Sequence, residues 1–265
     1  MGVLRKRSPW EREFQEVWRK EQWFLRRYAD KRETVIDRKV AEHAPEKLME
    51  TLHAAFEKAF GLVFEKGSGL IQKVGRQDAR REAYLEREDA LDKLEDRQNL
   101  KSVSKAANRV RLGNVAVSGA AGIGMGMFGV ALPDIPLFTV MILKSVYEIA
   151  ESYGFSCDGD QERLYALRII EAALSYGEEL KVRNCALDLY AQDGFWMDET
   201  DIKTQIKATS RQMSEAVLLG KALQNIPVAG VVGGAGDALY LSRVQKYAAI
   251  KYQKRFLIQR RLKES

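Results

Sequence analysis

Residues 115–133 run for nineteen positions without a charge, and five of the nineteen are glycine. Roughly 20 apolar residues let a helix cross a bilayer, so length alone would permit insertion. Each glycine, however, weakens a helix by about 1 kcal/mol relative to alanine, so a helix made from this run needs close packing to hold it. Gly119, Gly122, Gly126 and Gly129 are spaced three, four and three apart, which places them on one helical face. Gly122 and Gly126 form a G-x-x-x-G pair, a pattern that lets a second backbone approach closely in a membrane or in a tight soluble core. A second such segment spans residues 226–237, where Gly230, Gly233 and Gly234 follow Pro227 on a shared face that Asp237 continues. Two side-chain-poor ridges packing together are therefore the expected centre of the fold.

Punctuation along the chain supplies the remaining elements. Pro133, Asp134 and Pro136 form a corner, with Asp134 able to cap a new helix, Pro136 in its first turn and Gly154 at its end. Residues 137–143 are apolar all round and must be buried in protein or lipid. Leu164, Leu167, Ile170 and Leu174 mark a helix ending at Gly177, and residues 178–192 mark another. Asp198 is expected to cap a helix carrying Ile202, Ile206, Met213 and Val217, and a last helix runs through Tyr240, Val244, Tyr247 and Ala248 into a basic tail. No sustained alternation and no hairpin dipeptide signals a strand. The fold class is thus all-α: a helical domain around two glycine-rich apolar segments, with an N-terminal amphipathic helix and a charged helical arm.

In the N-terminal third, Trp10, Phe14, Val17, Trp18, Leu25 and Tyr28 recur near helical spacing with arginines and lysines between them. Such a helix can lie in a lipid interface or pack its aromatic stripe on the domain. We assign it residues 1–40 and the main helical domain residues 41–265. Leu48, Leu52, Phe56 and Phe60 then recur every four residues up to Gly67. Residues 78–97 hold thirteen charges in twenty positions, the pattern of a solvated arm that only Tyr84, Leu91 and Leu94 could dock.

Charge is concentrated at the ends. Residues 1–39 carry twelve Lys and Arg against seven acids, and residues 243–265 carry eight against one. Two basic ends on a mildly acidic body suit contact with a polyanion. The expected surface-contacting residues are Trp10, Trp18, Arg19, Lys20, Arg26 and Arg27 at one end and Lys254, Arg255, Arg260 and Arg261 at the other. Anionic membrane lipid or a membrane transporter is the expected partner; nucleic acid is disfavoured because no recognition motif accompanies the charge. Cys157 and Cys185 form no disulfide framework, and the polar, basic start lacks a cleavable apolar region, so reduced thiols and a cytoplasmic body are expected.

Catalytic and metal motifs fail on context. Gly124, Gly126 and Gly129 fit G-x-G-x-x-G, with Glu148 near the acid position of a dinucleotide fingerprint, but no strand precedes them and Pro133 and Pro136 break the helix that should follow. Glu50 and His53 make one Glu-x-x-His pair where a di-iron site needs two, and His43 is the only other histidine. No catalytic residue, metal ligand or cofactor is assigned. Asp134 and Asp237, each beside a glycine-rich segment, are the carboxylates to watch, as helix caps, as ion partners or as holders of a polar ligand.

The corner Leu132-Pro133-Asp134-Ile135-Pro136, the run from Tyr147 to Gly154 and the closing segment from Ile226 to Gly234 together resemble the EcsC family of bacterial proteins, over about residues 85–258. The resemblance implies no catalytic residues, since the family's activity is undefined. It implies a bacterial cytoplasmic or membrane-peripheral setting, in a family named for a protein encoded beside an ABC exporter. The expected function is that of a membrane-associated or lipid-interacting helical accessory protein, possible in two other forms: a soluble module holding an apolar ligand between glycine-rich helices, or an enzyme using Asp134 or Asp237.

Overall fold

The computed structural model describes residues 7–30, 46–65, 77–126, 135–224 and 235–263, and these are all-helical, with no strand among them. Among the described residues, nine helices follow in order: α1 Pro9–Arg27, α2 Glu46–Glu65, α3 Gln77–Lys93, α4 Arg97–Gly126, α5 Ile135–Ser152, α6 Asp160–Leu174, α7 Gly177–Asp193, α8 Ile202–Gln224 and α9 Ala235–Lys263.

Local chemistry sets the helix ends. Ser8 and Glu11 form a reciprocal capping box, in which the Glu11 N–H donates to Ser8 Oγ at 3.1 Å and the Ser8 N–H to Glu11 Oε2 at 2.7 Å, with Pro9 opening the first turn. α5 stops at Gly154 and α7 at Gly194, both in the left-handed region at φ +85° and +77°. The expected cap at Asp198 is displaced by three residues. Asp201 caps α8 by accepting from the Thr204 N–H at 2.7 Å, while Asp198 accepts from the Arg168 guanidinium, which holds its carboxyl down to about 2. Arg168 stands on α6, stacked 4.0 Å from the Trp196 ring, so it claims the carboxylate before the helix start can.

One apolar cluster draws on every helix. Leu52, Phe56 and Phe60 of α2 are buried as their four-residue spacing predicts, and α2 packs between α5 and α8. Val17 and Phe24 of α1 belong to the same cluster, so the N-terminal helix shares the core of the domain from which the sequence reading separated it at residue 40. α9 is the hub and packs against α1, α4, α5, α6, α7 and α8.

The charged arm departs from expectation twice. It continues, after a break at residues 94–96, into the 30-residue α4, so the glycine-rich run is the distal half of a helix that begins charged. It is also docked by more than the apolar residues foreseen. Leu91 is buried, but Leu94 falls in the break and is 60% exposed; Arg80 bridges Glu148 at 3.1 Å and Glu151 at 2.7 Å on α5 instead. Tyr84 lies on Gly154, where an added Cβ would sit 2.3 Å from the ring carbon Cζ. Gly154→Ala is therefore expected to destabilise by about 1–3 kcal/mol, from a positive φ and displacement of Tyr84 together, and limited proteolysis should then cut α3 sooner than in the wild type.

Gly119, Gly122 and Gly126 lie in α4 as expected, and Pro136 lies in the first turn of α5. Asp237 lies in the first turn of α9. Gly129, Pro133, Asp134, Pro227, Gly230, Gly233 and Gly234 fall outside the described residues, as does His43. Among the described residues no helix is long and apolar enough to cross a membrane.

Candidate functional site

The C-terminal basic residues expected on the surface are largely inside. Lys251, 1% exposed, donates to Glu21 Oε1 at 2.7 Å, to Asp188 Oδ1 at 2.6 Å and to the Asn184 carbonyl at 3.2 Å. Lys254 meets the other oxygens of the same carboxylates, with Asp188 Oδ2 at 2.8 Å. The result is a neutral square of two ammoniums and two carboxylates joining α1, α7 and α9. Burial pulls the Lys254 ammonium down, but Glu21 and Asp188 outweigh it and leave the group raised.

Arg255 is equally internal. Its guanidinium donates to Glu162 Oε2 at 2.7 Å and lies 4.2 Å from the Phe155 ring centroid, 4.6 Å from that of Tyr165 and 5.1 Å from that of Tyr190. Arg260 is held by Glu95 at 2.8 Å and Asp92 at 3.1 Å on the charged arm. Lys254 and Arg255 therefore correct the expectation of a basic surface tail: they are buried, and Arg260 is tied to the arm, because acids from distant helices meet them. Arg261 is exposed, with its guanidinium 5.7 Å from the Trp10 ring. Trp10 itself is half-buried, and its Nε1 donates to the Leu257 carbonyl at 2.8 Å, so it staples α1 to α9.

Outside these internal pins, α1 carries exposed cations of its own. Trp18 is 49% and Trp23 51% exposed, and Arg19, Lys20, Arg26 and Arg27 beside them are exposed too. Arg27 lies 5.3 Å over the Trp23 ring. Behind this face opens a groove of about 580 Å³ between α1, α4 and α9, a size in the range of small-ligand sites. Arg19, Lys20 and Trp23 line it from α1, Asn108 and Arg111 from α4, and Lys246, Ile250 and Gln253 from α9. Glu16, also at its edge, accepts from Lys20 at 3.1 Å, from Arg97 at 3.3 Å and lies 3.9 Å from Lys101. Among the described residues no carboxylate pairs with Arg19, Arg111 or Lys246: Arg19 Nε donates to the Gln15 carbonyl at 3.4 Å and Arg111 Nε to Asn108 Oδ1 at 3.4 Å.

Of these groove residues the sequence reading named only Arg19 and Lys20. A signal for the others does exist in the spacing. Glu16, Arg19, Lys20 and Trp23 recur at i, i+3, i+4 and i+7, and so do Lys246, Ala249, Ile250 and Gln253, so each helix presents one strip to the groove. What spacing cannot supply is that the strips face each other.

The cysteines and the Glu50–His53 pair lie away from the groove. Cys157 is buried, and burial, with Glu162, Glu151 and Asp158 nearby, pushes its thiol well up, away from the thiolate that a nucleophile needs. Cys185 is exposed. Glu50 is exposed and His53 half-buried on α2, and among the described residues no group of three or more His, Cys, Asp and Glu side chains gathers as a metal ion would require.

The helical bundle is thus pinned through its central helix by buried ion pairs, and a basic groove opens behind an aromatic and cationic outer face. The chain belongs to the EcsC protein family, whose match covers residues 3–257. That match begins far upstream of residue 85, where the motif resemblance began, and so includes α1, as the shared core requires. No curated protein and no solved structure matches the chain.

Proposed function

We propose that this protein is a helical accessory that docks peripherally on an anionic membrane surface through the outer face of α1. The observation that carries the reading is the pair of half-exposed indoles, Trp18 and Trp23, set among Arg19, Lys20, Arg26 and Arg27. Indoles favour the boundary between head groups and acyl chains, and each Lys or Arg near an anionic surface contributes about 1 kcal/mol. The inner face of the same helix is held by Val17, Phe24 and the Glu21 ion pairs, which leaves the outer face presented by a rigid support.

Vesicle sedimentation tests it. Binding is expected to vesicles containing phosphatidylglycerol and not to neutral phosphatidylcholine, to weaken with salt, and to fall roughly thirtyfold when Arg26→Gln and Arg27→Gln are combined. Equal binding to both vesicles, or none to either, would overturn the reading.

A further inference from the structure

We infer that the groove between α1, α4 and α9 is a binding site for a phosphomonoester, the terminal phosphate of an anionic amphiphile drawn from the membrane surface that α1 contacts. The source of the occupant rests on the membrane reading above; the site itself rests on the groove.

Three observations carry it. The first is charge: among the described residues Arg19, Lys20, Arg111 and Lys246 line the groove against one carboxylate, Glu16, which is already shared with Arg97 and Lys101. Such a surplus is costly to gather in one cleft unless an anion neutralises it, and a phosphomonoester, at about −1.5 to −2 at neutral pH, answers it better than the single charge of a phosphodiester. The second is Gln253. Its side chain is 5% exposed, lines the groove, and hydrogen-bonds no described residue. Its amide is open to the groove and not sealed from it, so its N–H groups are free to donate to a phosphate oxygen placed there. The third is the wall. Trp23, Phe24, Ala249 and Ile250 line the same groove, which at about 580 Å³ exceeds what a phosphate alone fills and leaves apolar room for the carbons attached to it.

Guanidinium groups suit the role because they present forked N–H donors to phosphate oxygens, while the Lys246 and Lys20 ammoniums act as compact charges beside them. No covalent step is involved; the site binds.

Two sets of variants separate this inference from the membrane reading, because Arg26 and Arg27 lie outside the groove whereas Arg111 and Gln253 lie outside the exposed α1 face. The full chain is sedimented with vesicles containing phosphatidic acid or phosphatidylglycerol at matched surface charge, and is titrated with soluble glycerol 3-phosphate by calorimetry. Wild type is expected to prefer phosphatidic acid by roughly tenfold, and Arg111→Gln or Gln253→Leu to abolish that preference while leaving phosphatidylglycerol binding in place. Gln253→Leu is also expected to leave the thermal midpoint nearly unchanged, since no described residue bonds to that amide; a merely structural glutamine would lower it. Saturable glycerol 3-phosphate binding that Arg111→Gln weakens, with no vesicle binding at all, would support the groove and sink the membrane reading. Vesicle binding with no preference for the monoester, or a preference that Arg111→Gln and Gln253→Leu leave unchanged, would overturn the inference.

Discussion

Glu21→Ala should cost the fold about 3–5 kcal/mol, the range seen when one partner of a buried ion pair is removed. Glu21 is 1% exposed, and it is shared by Lys251 at 2.7 Å and by Lys254. Without it, two ammoniums compete for Asp188, and one positive charge is left inside with neither water nor a counter-ion. The charge count predicts a rescue: adding Lys254→Met to Glu21→Leu restores neutrality and leaves the Lys251–Asp188 contact intact, so the double variant should recover most of the lost stability. Denaturant unfolding with an unchanged m value reads both. A Glu21→Ala deficit below about 1 kcal/mol would mean that the square is solvated and not a clamp.

Arg255→Met should be comparably severe, about 3–5 kcal/mol at neutral pH, because Glu162 loses its guanidinium partner in a nearly closed site. Arg255→Lys should recover little. An ammonium keeps the charge but cannot lie flat among Phe155, Tyr165 and Tyr190, whose ring centroids stand 4.2, 4.6 and 5.1 Å from the guanidinium carbon. The pH dependence has a definite sign. Burial already pushes the Glu162 carboxyl up against the pull of Arg255, so removing Arg255 raises it further. A folded-state carboxyl that holds its proton more tightly than the unfolded one gains stability as pH falls, so the Arg255→Met deficit should narrow from pH 7 toward the ordinary carboxylate range. A deficit that widens over that interval would show that Glu162 is not the group left stranded.

Much of the fold was legible because its signals are local. Gly154 stands at the end of α5 as its backbone chemistry requires, and Leu52, Phe56 and Phe60 bury the face their spacing defines, whereas Gly177, expected to end α6, opens α7 after Ser175 caps α6. The Asp198 cap failed for a tertiary reason, since Arg168, thirty residues away, takes that carboxylate and Asp201 takes the cap.

The basic C-terminus misled for the same reason on a larger scale. Lys251 finds Glu21 across 230 positions and Asp188 across 63, and Arg255 finds Glu162 across 93. Nothing in the local pattern of α9 distinguishes these cations from solvated ones, because only the packing of six helices around it supplies the counter-charges. The groove was half-legible: Arg19 and Lys20 stood out in an aromatic basic helix, while Arg111, Lys246 and Gln253 gain meaning only when α1, α4 and α9 converge.

At the centre of this account is a division of the cations into internal pins and external contacts. Brief amine labelling of the native protein, read by mass spectrometry at each lysine, tests that division directly. Lys246 and Lys20, both exposed, should label readily, while Lys251 and Lys254 should remain protected until the protein is unfolded. Labelling of Lys251 and Lys254 in the native state at the rate of Lys246 would contradict it.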